Sequence, residues 1–171
     1  MIYKEFYFLP FNRIGHSASC LKLANTIMEK NAFYKVVGYE LLNMALYHDI
    51  GYSTAINKLN FHSVDGAAFL ENKLNIDIVT AIAHHGGAEM LMKEHENKDE
   101  IEKLLKRYNT WNLRSKMFLE VINFIDAHVD GKGNIVTIEE RYSDIANRYS
   151  QDSIQVRTFV EVANNIPDLK I

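Results

Sequence analysis

Leu46-Tyr47-His48-Asp49-Ile50-Gly51 is the stretch on which the reading of this chain turns. Val37, Leu41 and Met44 lead into it at helical spacing, and His48 continues their stripe, which predicts a helix from about Tyr34 to His48. Gly51 reads as its terminator, because glycine takes the left-handed conformation without a Cβ clash. A histidine and an aspartate at the edge of a core are unfavourable there unless something engages them. Alone, the pair means little. Its weight depends on other ligand-type side chains that a helical fold could bring to it.

Outward from that stretch the helical period dominates. After Pro10, a helix from about Asn12 to Lys30 carries one stripe of Ile14, Ala18, Leu21, Ala24 and Met28. A second stripe, His16, Cys20, Leu23 and Ile27, suggests a central element, and Arg13 shares the face of His16. Beyond the polar Ser53–Phe61 loop, helices are predicted over about His62–Leu74, Asp77–His85 and Leu113–His128. Thr137-Ile138-Glu139-Glu140 reads as a capping box for a helix to about Tyr149, and the last helix covers about Asp152–Asn165. The charge-dense Lys93–Arg107 segment is expected to be solvated, as exposed helix or flexible excursion. The only prolines, Pro10 and Pro167, leave the interior free to be helical. The expectation is an all-α chain forming one domain over residues 1–171, with its site core in about 11–130, C-terminal helices in about 137–165, and no chemistry beyond Asp130.

At 171 residues, 47% apolar and 24% charged, the composition is that of one ordinary globular domain. A net charge of −3 gives no general attraction to duplex nucleic acid or an acidic membrane. No apolar run approaches the roughly 18 residues of a membrane span. The N-terminal decapeptide lacks the layout of a signal peptide. The single Cys20 excludes an internal disulfide and reads as a buried structural thiol, so a reducing, cytoplasmic location is expected. Homo-oligomerisation is left open.

His16, His48-Asp49, His62, His84-His85 and Asp126 all fall at helix ends or on apolar stripes. Taken singly they have bland readings. His16 could be a hydrogen-bonded core histidine, and His84-His85 could be solvated residues favoured by a helix dipole. Asp126 fits least well, because a carboxylate on an apolar stripe needs a cation or strong donors. Taken together they read as a metal centre of one or two divalent ions. Imidazole with carboxylate suits Fe, Mn, Zn or Ni. Arg13, one turn before His16, could clamp a phosphate or form a surface salt bridge.

In this order the elements Arg13-Ile14-Gly15-His16, Tyr47-His48-Asp49-Ile50-Gly51, Phe61-His62-Ser63, Ile82-Ala83-His84-His85 and Phe124-Ile125-Asp126-Ala127 resemble the HD-domain superfamily of metal-dependent phosphohydrolases, over about residues 11–130. The resemblance implies an HD-type helical bundle in which His16, His48, Asp49 and Asp126 hold one ion. His62, His84 and His85 would hold a second, with Asp49 bridging. It also implies a small phosphorylated substrate, foremost a nucleotide, attacked by metal-activated hydroxide, with Asp49, His62 and Arg13 in the catalytic set. Two HD-type alternatives keep the site: a di-iron oxygenase and a non-catalytic, metal-containing nucleotide sensor. Tyr52 stands where many relatives carry lysine, and Gly86-Gly87-Ala88 stands in place of a Gly-Tyr-Pro signature, which disfavours cyclic di-GMP as substrate.

Overall fold

Pro10 closes a short first helix, α1 (Tyr3–Phe6), and starts α2 (Phe11–Lys30) in a computed structural model that describes residues 3–171. α2 buries the stripe of His16, Cys20, Leu23 and Ile27, together with Ser17 and Ala24. Ala18 on the opposite stripe is exposed, while Ile14 and Met28 pack against the rim of the core. The element is therefore one-sided rather than enclosed.

The single helix expected from Tyr34 is broken. A short α3 (Ala32–Lys35) is followed by α4 (Gly38–Tyr47). At the break Val37 leaves the helical conformation, with φ −110° and ψ 19°, and Gly38 then starts α4 in close contact with the Met28 side chain of α2. From there Leu41, Met44 and Ala45 enter the core as the sequence period requires.

The remaining helices are α5 (His62–Leu70), α6 (Ile76–His84), α7 (Ala88–Met92), α8 (Lys98–Arg107), α9 (Leu113–Ala127), α10 (Ile138–Arg148) and α11 (Ile154–Ala163). Among the described residues the one strand-type pairing is an isolated bridge between Val129 and Ile135, so the fold is all-α. α9 lies centrally, against α2, α4, α6 and α11. Its Phe118, Val121, Ile122 and Ile125 meet Ile78 and Ile82 of α6 in the core. Complete burial of each such side chain contributes about 1.5–3 kcal/mol.

α8 departs from the expectation of a solvated excursion. Ile101, Leu105 and Tyr108 recur at helical spacing and are buried, anchoring the helix while its charges face outward. At the C-terminus, the Thr137–Glu140 capping box forms as read, and Ser153 caps α11. α11 then packs back on the His85–Gly87 turn. Gly87, at φ +73°, has no room for a β-carbon against Thr158 Cγ2 of α11. No described helix is long and apolar enough to cross a membrane.

Candidate metal centre

His48 caps the end of α4 with its ring turned inward, its Nδ1 donating to the Ala45 carbonyl at 2.9 Å. Asp49 then leads into a short 3₁₀ turn, Ile50–Tyr52. Gly51 does not act as a left-handed terminator. A β-carbon there would stand 2.6 Å from the carbonyl carbon of His62 and 2.7 Å from the amide nitrogen of Gly66. The glycine permits direct backbone contact between the turn and α5, which holds His62 Nε2 3.5 Å from Asp49 Oδ1. From α2, His16 Nε2 comes to 3.1 Å from Asp126 Oδ1 and 3.7 Å from Asp49 Oδ2. His85 Nε2 lies 3.9 Å from Asp49 Oδ1 and 3.2 Å from His62 Nε2.

Three rings share one device. The Nδ1 of His16 donates to the Asp130 carbonyl at 3.0 Å, that of His48 to Ala45, and that of His85 to the Ile82 carbonyl at 2.6 Å. Each bond leaves Nε2 as the inward-facing atom, the usual arrangement around a metal-ligating histidine. Burial drives the His48 and His62 imidazolium pKa values down to about 4 and about 3, so both rings are neutral at physiological pH. Burial also works against the charges of Asp49 and Asp126. It is overcome at Asp49 by His48 and Arg13, and at Asp126 by the His16 hydrogen bond, so both stay well below the usual carboxylate range. At His16 the same burial is outweighed by the bond to Asp126 and by Cys20, lifting its pKa to about 11. A proton and a divalent ion thus compete for one lone pair, and metal uptake releases protons.

The donor set fits a metal. His48 Nε2 is buried with no hydrogen-bond partner among the described residues, between Asp49 Oδ1 at 3.7 Å and Asp126 Oδ1 at 3.9 Å. A lone pair sequestered between two carboxylates is unfavourable until a cation joins them. His48, Asp49 and His85 present donor atoms within 4.8 Å of one another, as do His16, Cys20 and His48. Cys20, read from sequence as structural only, is fully buried with Sγ 3.4 Å from His16 Nε2, and burial pushes its thiol up to about 11.

The family model for the HD domain matches residues 13–152. The chain belongs to the HD-domain family. HD domains are generally metal-dependent phosphohydrolases, and the matched span runs past the expected boundary near residue 130 to take in α10. No curated protein and no solved structure matches the chain.

Within this HD domain the adjacent histidines part company. They follow one another at the end of α6, where successive side chains point about 100° apart, so the two rings leave the helix in different directions. His84 Nδ1 pairs with Glu89, and its ring rests 4.8 Å from Trp111, away from Asp49. Both rings are expected at the carboxylates; His85 Nε2 lies 3.9 Å from Asp49, while the His84 ring pairs with Glu89 and its Nε2 is buried without a hydrogen-bond partner among the described residues. Arg13 is no surface ion pair. Its side chain is 19% exposed, Nη1 donates to Asp49 Oδ2 at 3.0 Å, and the guanidinium lies 4.0 Å over the Tyr52 ring. Tyr52 in turn stacks on His62 at 4.3 Å and 10°, so the unusual tyrosine forms the middle layer of an Arg13–Tyr52–His62 sandwich.

A cavity of about 150 Å³ opens beside these groups, lined by Arg13, Asp49 and Asp126 and also by Arg141, Arg148 and Thr158 from the C-terminal helices. The C-terminal helices, in which the sequence suggests no chemistry, thus supply part of the cavity wall. The sequence signal was weak but present: Arg141 and Arg148 stand seven residues apart, on one face of α10.

Proposed function

We propose that this HD domain is a metal-dependent phosphohydrolase acting on a small phosphate ester, with a nucleotide the foremost substrate class. The observation that carries the reading is the unpartnered, buried His48 Nε2 between the carboxylates of Asp49 and Asp126. In this reading His16, His48, Asp49 and Asp126 hold one ion, and His62 and His85 with Asp49 hold a second. Asp49 suits a bridging role: Oδ2 faces His16 and Arg13, while Oδ1 faces His48, His62 and His85. Divalent ions so bound would acidify a water and neutralise charge on phosphoryl oxygens.

The chain supplies the rest. Arg13, held by Asp49 and Tyr52, orients a phosphoryl group at the cavity wall. Ile145, Phe159 and Val162 give the cavity an apolar side that can receive the organic part of an ester and exclude water from it.

The test is elemental analysis of the purified protein beside a panel of phosphate mono- and diesters, in air and in anaerobic buffer, repeated with Asp49→Ala. The expected result is bound transition metal, hydrolysis that does not need oxygen, and loss of both metal and turnover in the variant. Metal-replete protein that hydrolyses nothing across the panel refutes the hydrolase reading.

A further inference from the structure

Arg141 is 7% exposed, and its Nε is buried without a hydrogen-bond partner among the described residues. Its Nη1 donates to Asp144 Oδ2 at 2.9 Å, and Arg148 Nη2 donates to the same oxygen at 2.8 Å. One carboxylate thus gathers two guanidinium groups, three residues before it and four after, and the trio carries a net positive charge. Both arginines line the cavity that also touches Asp49 and Asp126, and Arg141 is near enough to help keep the Asp126 carboxyl ionised. A nearly buried guanidinium that is incompletely paired favours an anion beside it. Asp144 reaches only its Nη1 side.

We propose that Arg141, backed by Arg148 and Asp144, is a phosphate-binding wall that selects phosphomonoesters. The inference rests on the hydrolase reading for its substrate class, and on the geometry of α10 for its residues. The wall adds positive charge to whatever the ions supply, which favours the dianion of a monoester over the monoanion of a diester. With Nη1 held by Asp144 and Nε shut off from solvent, Nη2 is the donor that Arg141 keeps for an oxygen of a tetrahedral anion in the cavity. The apolar side at Ile145, Phe159 and Val162 lies in the same cavity, which places the ester's carbon skeleton next to its bound phosphate.

The test titrates inorganic phosphate into metal-loaded wild-type, Arg141→Met, Arg141→Lys and Arg148→Gln proteins by calorimetry. Metal content and thermal midpoint are measured alongside, with kcat/KM for p-nitrophenyl phosphate against bis(p-nitrophenyl) phosphate. Arg141→Met should weaken phosphate binding by about tenfold or more, and Arg141→Lys by less, since lysine restores the charge but not the planar group that Asp144 orients. Arg148→Gln, more exposed, should weaken it by about two- to fivefold. Metal content should hold, and the monoester preference should shrink in the Arg141 variants. If Arg141→Met does not fold, Arg141→Lys and Arg148→Gln carry the result.

Wild-type protein that binds no phosphate, or Arg141 variants that bind it as wild type does, overturn the inference. Equal losses on monoester and diester overturn the monoester assignment. Phosphate binding needs no turnover. A protein that hydrolyses nothing yet loses phosphate with Arg141 therefore refutes the hydrolase reading and leaves this wall standing.

Discussion

Replacing Gly51 by alanine is the sharpest single perturbation of the centre. The new β-carbon would stand 2.6 Å from the His62 carbonyl carbon, 2.7 Å from the Gly66 nitrogen, and nearer still to the His62 carbonyl oxygen, where real contacts essentially never fall below 3.0 Å. All three atoms are backbone, so no side chain can rotate away, and the turn and α5 must separate by about 1 Å or more. Gly51 does not have a positive φ, so alanine brings no backbone strain that would confuse the result. Overpacking of this kind costs about 1–3 kcal/mol, which for a chain of this size lowers the melting midpoint by roughly 3–10 °C. The same displacement carries His62 away from Asp49, to which its Nε2 is now 3.5 Å, while His16, His48 and Asp126 sit on elements that need not move. Thermal unfolding with metal stoichiometry reads both effects. Gly51→Ala should lose stability and, in the proposed two-ion centre, bind the ion at His62 more weakly while retaining the other. A variant with wild-type midpoint and wild-type stoichiometry would refute the close-packing argument.

Two further outcomes follow from the electrostatics and the divergence of the paired histidines. In chelator-treated protein, His48 and His62 stay neutral in the fold down to about 4 and about 3 but take up protons near 6.5 when unfolded, so stability falls as pH drops from 6.5 towards 4, with a slope approaching about 2.7 kcal/mol per pH unit for two protons. His16, lifted to about 11, acts in the opposite sense: its contribution is complete below 6.5 and is lost as pH rises towards 11, so urea unfolding should show a maximum near pH 6.5, and a flat profile would contradict these charge states. His85→Gln should lower metal content, whereas His84→Gln should preserve it and lose only local stability around Glu89 and Trp111; equal metal loss in both variants would show that His84 also serves the centre.

The helices that were legible in the sequence carry their instructions locally. α2, α6 and α9 show an apolar stripe at the helical period, and their polar exceptions, His16 and Asp126 above all, were conspicuous because they interrupt it. The break before α4 falls at Val37, inside a run whose apolar period continues across it, so periodicity alone does not mark it. The anchoring of α8 was masked by charge density, although Ile101, Leu105 and Tyr108 keep the period within it. The different fates of His84 and His85 follow the helical period, since His85 shares the face of Ile78, Ala81 and Ile82 and His84 does not. Arg141 was missed for a related reason. In the first turn of a charged helix it reads as surface, and only the return of α11 onto the Gly87 turn closes a cavity around it.

The carbonyl tethers on His16, His48 and His85 have a consequence for ion choice. Their Nδ1 bonds end on the backbone of α2's neighbouring turn and of helices α4 and α6, so the rings cannot swivel without breaking them. An ion entering the proposed centre would therefore meet donors already aimed, with little rotamer freedom left to be lost on binding. The same stiffness limits how far the cage can shrink or swell. Such a preorganised cage sorts ions by radius and preferred geometry as well as by chemical softness.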